Sequence, residues 1–109
     1  MATVTNVARV RNQPQRFGQL NMRVVDITLG TYATGGEALT LAQLGFGVGV
    51  YGMVVVGRTA GVTTTSATTF WPDVSSETAP KIVAFAAGSQ VANSTDLSAI
   101  TIRCLVWGL

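Results

Sequence analysis

The chain has no histidine and a single cysteine among its 109 residues. Without histidine, the usual neutral-pH proton acceptor and the usual nitrogen ligand for transition metals are both missing. Serine–histidine and cysteine–histidine nucleophilic mechanisms are thereby excluded. The lone Cys104 can form no disulfide within the chain and cannot assemble a thiolate metal site. It is expected to act as a small buried apolar residue. Charge is the next shortage: seven basic and five acidic side chains make up 11% of the chain, where an ordinary domain carries about 25%. A domain of this length exposes roughly 5,800 Å² when folded, so its twelve charges stand about one per 500 Å². Such an exterior suits a surface covered by other chains better than that of a free monomer.

The few charges are unevenly placed. Arg9, Arg11, Arg16 and Arg23 all precede the first acid, Asp26. A basic leading segment fits an acidic partner, either a protein surface or nucleic acid, and the plainer alternative is a solvated terminus. Residues 1–15 contain Pro14 and no sustained helical stripe, so they read as an extended N-terminal arm. They also lack a long apolar run after a basic start, which argues against a secretory signal. The acids Asp26, Glu37, Asp73, Glu77 and Asp96 show no spacing that predicts a shared carboxylate site.

What the chain does have is apolar residues, 48% of the total, arranged with a two-residue period. Val25, Ile27 and Leu29 alternate with Asp26 and Thr28, the pattern of a half-buried strand closed by Gly30. Tyr51 to Gly57 and Lys81 to Phe85 are rich in β-branched and aromatic residues. A last strand runs from Ile100 to Trp107, with Ile100, Ile102, Cys104 and Val106 on one face. Its other face carries Thr101, Arg103, Leu105 and Trp107, half polar and half apolar, a side that a neighbour can partly cover. Thr40 followed by Gln43 and Gly45 predicts a capping box around one helical turn with a glycine stop. The threonine-rich stretch from Ala60 to Pro80 suits an exposed strand or a long loop, with Pro72 and Pro80 confining pairing to short pieces or an edge. Together these features predict an all-β fold. The expected architecture is a compact antiparallel β-sandwich or small barrel, residues 16–109 forming the single β domain behind the arm.

Three motifs need weighing. Gly47-Val48-Gly49-Val50-Tyr51-Gly52 fits GxGxxG, but a dinucleotide loop needs a strand before it and a helix after it, and here a capped turn precedes it and Met53-Val54-Val55-Val56 follows. Glycines that let a strand bend or approach another chain segment explain it better, and no cofactor is expected. Ala38 to Gly57 is twenty uncharged residues, long enough to span a bilayer, yet five glycines make a poor helix, so a buried core segment is expected instead. Asn93-Ser94-Thr95 matches a glycosylation acceptor, but Ser94, Thr95 and Asp96 ahead of Leu97 read more simply as a side-chain-capped turn. Trp71 and Trp107 are expected as core or interface anchors rather than base-stacking platforms.

The order of pieces carries a resemblance. Thr34-Gly35-Gly36-Glu37-Ala38-Leu39-Thr40 with Leu44-Gly45, then Lys81-Ile82-Val83-Ala84-Phe85, then Asn93-Ser94-Thr95-Asp96-Leu97-Ser98-Ala99 and a closing β-run ending in Trp107-Gly108, resembles small head-associated structural proteins of tailed bacteriophages, the decoration or cement proteins. It covers roughly Arg16 to Leu109 and departs over Thr63 to Pro80, where similar proteins tend to carry a shorter, more aromatic hairpin. The resemblance implies a non-enzymatic protein of the phage head with no cofactor or metal. It implies the major capsid protein as partner and a homo-oligomer, with a trimer favoured, and neither membrane nor nucleic acid as a target. Within that reading, Arg9, Arg11, Pro14, Arg16 and Phe17 are the expected capsid-interface residues, the arm ordering over an adjacent subunit. A tail or head–tail connector component is the alternative of the same class. A nucleic-acid-binding module using the arginine-rich arm is the alternative from another.

Overall fold

In a computed structural model the described residues are 2–6, 15–17 (backbone only), 20–60, 68–86 and 88–109. The elements in chain order are β1 (Thr3–Asn6), β2 (Gln15–Phe17), β3 (Leu20–Thr28), β4 (Glu37–Ala38), α1 (Leu41–Leu44), β5 (Val50–Ala60), β6 (Thr68–Asp73), β7 (Lys81–Ala86), β8 (Ser89–Gln90) and β9 (Thr101–Gly108). All strand pairing is antiparallel and falls into two sheets. The first has the order β1-β3-β9-β5, with β2 also on β3, and the second has β4-β7-β6, with β8 also on β7. The predicted all-β sandwich is the observed fold.

The alternating pattern does what its period demands. In β3 and β9 the register sets Val25 opposite Cys104 and Ile27 opposite Ile102, and all four side chains are buried. Met53 and Val50 of β5 extend this inner face, and Phe70, Ile82 and Ala84 from β6 and β7 close on it from the second sheet. Arg58 of β5 crosses between the sheets, with its guanidinium 5.3 Å from the centre of the Phe70 ring and an Nη2 donor on the Thr68 carbonyl. The core is thus largely apolar, and the hydroxyl of its buried tyrosine is satisfied: the Tyr32 oxygen accepts from Ala84 N at 3.2 Å and Gln90 Nε2 at 2.8 Å.

The helical turn forms as its sequence predicts. Thr40 Oγ1 accepts from Gln43 N at 3.1 Å, Gln43 Oε1 accepts from Thr40 N at 3.0 Å, and Gly45 ends the helix in the left-handed region at φ 85°. The expectation for residues 1–15 needs correction over residues 2–6. Those residues are not an arm outside the body: Thr3 to Asn6 pair with Val25 to Thr28, and Ala2 is buried. Gln15–Phe17 in turn pair with Leu20–Met22 on the same edge of β3. The physical reason is that β9 satisfies only one edge of β3, and an open second edge on so central a strand would leave a row of backbone groups unpaired.

Candidate interaction surface

The residues that carried the phage resemblance are brought together by the fold and serve it. Glu37 is buried, with Oε1 accepting from Ala33 N at 3.0 Å to close the turn through Gly35 and Gly36. Ala38 pairs with Lys81 at the start of β7. Thr31 bridges Asp96, while Leu97 N donates to Gly30 O and Tyr32 N to Thr95 O. Asp96 Oδ1 accepts from Ser98 N at 2.9 Å, the side-chain-capped turn expected there, and its hydrogen bonds to Ser98 hold the carboxyl below its ordinary pKa. With Thr34 N donating to Asn93 Oδ1 at 3.1 Å, the segments 34–40, 81–85 and 93–99 form one interlocked structural corner.

The GVGVYG amides are also occupied from within. Gly47, Val48 and Gly49 N–H all donate to the Leu109 carbonyl, at 3.2, 2.7 and 3.1 Å, and a strand rather than a helix follows. Gly52 is the close approach: a Cβ there would lie 2.0 Å from Cζ2 of Trp107. Chemistry elsewhere is equally sparse. Burial pushes the Cys104 thiol up to about 12, with the Asp26 charge a smaller contribution. Among the described residues there is no group of three or more acids or cysteine that could hold a metal ion. No described helix is long and apolar enough to cross a membrane, a statement that leaves β-barrels aside.

What the fold leaves for other molecules is its two outer faces. On the first sheet, alternation turns outward Met22, Val24, Asp26 and Thr28 from β3 and Thr101, Arg103, Leu105 and Trp107 from β9, all half-buried. One end of this face is polar: Arg103 Nε and Nη2 donate to the two carboxylate oxygens of Asp26 at 2.8 and 3.0 Å, and the Thr28 and Thr101 hydroxyls lie 2.9 Å apart. The other end is apolar. There Leu20, Met22, Leu105 and Trp107 line a groove of about 300 Å³, with Val54, 49% exposed, opposite Leu105 on β5. The second sheet turns out Trp71, 63% exposed, opposite Val83, with Asp73 opposite Lys81. Asp73 accepts from the hydroxyl and amide of Ser75, which lowers its pKa. Neither tryptophan is a core anchor.

Of the expected interface residues, Arg9, Arg11 and Pro14 lie outside the described residues. Arg16 and Phe17 lie on β2, opposite Asn21 and Leu20 in register, next to the groove. The sequence did not single out Leu20, Met22, Val24 or Val54; only the mixed outer face of the last strand signalled this surface. The chain matches no known family, no characterised protein and no solved structure.

Proposed function

We propose that this protein is a non-enzymatic structural component of the virion that binds and stabilises the bacteriophage head lattice, a decoration or cement protein with the major capsid protein as its partner. The observation that carries the reading is two-sidedness. The sandwich presents exposed large apolar side chains on both outer faces, Val54 on one and Trp71 on the other, in a chain with 6144 Å² of surface and only twelve charged residues, of which Glu37 is buried. A body that is adhesive on opposite sides and nearly neutral suits a position between neighbours in an array. The resemblance of the Thr34–Thr40, Lys81–Phe85 and Asn93–Ala99 segments to phage head proteins supplies the identity of that array.

In this reading each copy binds the assembled lattice in preference to its dispersed subunits and stabilises it by mass action. Contact with two subunits at once lets modest individual affinities suffice. In the interface Arg9, Arg11 and Arg16 attract an acidic capsid surface, Pro14 and Phe17 fix the path of the segment, and Trp71 anchors the apolar part. The test is cosedimentation with empty, expanded phage shells, comparing the native chain with Trp71→Glu and with the Arg9→Glu, Arg11→Glu pair. Saturable binding that both variants weaken at least tenfold is expected. Binding to tails alone would move the assignment to a tail or connector component. Failure to bind any phage particle, combined with salt-dependent binding to free DNA, would replace it with the nucleic-acid reading.

A further inference from the structure

We propose that the outer face of the first sheet is a self-association surface, on which a second copy of this chain packs about a twofold axis running along the β3–β9 seam. This goes beyond the lattice-binding reading and does not depend on it.

The first ground is charge complementarity. Along the seam the facing pairs are Met22 with Trp107, Val24 with Leu105, Asp26 with Arg103 and Thr28 with Thr101. A twofold axis parallel to the seam exchanges β3 with β9 between copies. Asp26 of one copy then lies over Arg103 of the other, and Thr28 over Thr101, while the apolar end meets its own apolar end. This is the self-matching arrangement that an isologous contact requires. Asp26 and Arg103 are the only acid and base that the register of the described β1, β3, β5 and β9 residues puts on this face, and each keeps part of its side chain exposed, 21% and 31%. Among the described residues of these four strands, the pair therefore presents a second copy with a dipole that reverses across the axis and sets acid over base.

The second ground is area. Four strand positions at about 4.8 Å spacing and eight residues at about 3.3 Å rise give roughly 500 Å² of projected face per copy. That is roughly 1,000 Å² for the pair before side-chain relief is added, the lower bound for a specific interface. The second sheet has three strand positions of about six residues, roughly 300 Å² per copy, and falls well short. The edge of β5 that pairs with no other described strand is a weaker competitor, because register shifts between Val50 and Gly52, Val55 and Gly57, and Arg58 and Ala60 break the regularity that edge-to-edge pairing needs. Aligned face-to-face packing is how two such sheets meet inside ordinary sandwiches.

Sedimentation equilibrium of the isolated protein, from about 1 to about 500 µM, tests this without any phage particle; a dimer with a dissociation constant on the order of tens of micromolar is expected. Leu105→Lys and Val54→Glu should each weaken it at least tenfold while leaving the β circular dichroism unchanged. Arg103→Asp should do the same, and the double exchange Asp26→Arg, Arg103→Asp should restore dimerisation. Trp71→Glu, on the opposite face, should leave the dimer intact. A native chain that stays monomeric throughout the range would overturn the proposal. So would a dimer untouched by Leu105→Lys and Val54→Glu, or one abolished by Trp71→Glu. A dimer that forms while the protein ignores phage shells would leave this inference standing and remove the lattice reading.

Discussion

The two sides of β9 differ sharply, although they belong to the same eight residues. Inward, Ile102, Cys104 and Val106 have no measurable exposure; outward, Thr101, Arg103, Leu105 and Trp107 are all half-buried. The inner face is finished, its neighbours supplied by the second sheet and the loops. Among the described residues the outer face is formed by strand neighbours alone, with Met22, Val24, Leu105 and Trp107 making half of it apolar. The strand's alternation separates the two sides, while the second layer of the sandwich decides which of them is complete.

Ile102→Ala should break the finished side. It removes a fully buried side chain from a site hemmed in by two sheets, and a loss of about 2–5 kcal/mol is expected, read as a lower midpoint in urea at unchanged m-value. Gly52→Ala attacks the outer side by crowding, since the new methyl would fall inside the Trp107 ring. A cost of about 1–3 kcal/mol is expected, and combining it with Trp107→Leu should recover most of that loss in a double-mutant cycle. Cys104 sharpens the contrast through pH. Its thiol is raised from 9.0 to about 12 in the folded chain, so the unfolded chain loses its proton first, and stability should be full below about pH 9 and decline as pH rises toward about 12. A thiol reagent at neutral pH should accordingly modify the native protein no faster than it unfolds. The smallest effect belongs to Asp26→Asn: the pair with Arg103 is partly solvated, so equilibrium unfolding should shift by about 0–1 kcal/mol, against the much larger inner-face loss.

Where local chemistry is self-sufficient, the sequence was informative. The Thr40, Gln43 and Gly45 signature predicted α1 because its hydrogen bonds close within six residues. Alternation predicted β3 and β9 because a two-residue period on a half-buried strand has one solution, and β-branched and aromatic content marked β5 and β7. β1 was missed, since Thr3-Val4-Thr5-Asn6 is too short and too polar to show a period, and only the unpaired edge of β3 makes it a strand. The interaction surface was half legible for the same reason. Leu105 and Trp107 stood out on a mixed strand face, but Leu20, Met22 and Val54 join them only through pairing across β3, β9 and β5.

By itself, then, the sequence determined the all-β class, the capped turn, the inert buried thiol and the scarcity of charge, because each depends on residue type and near neighbours. The tertiary structure alone decided that residues 3–6 belong to the body, that the glycine-rich amides are taken by Leu109, and which apolar side chains share one outer face. Those depend on strand register between segments tens of residues apart, and register is set by burial of the whole rather than by any local pattern.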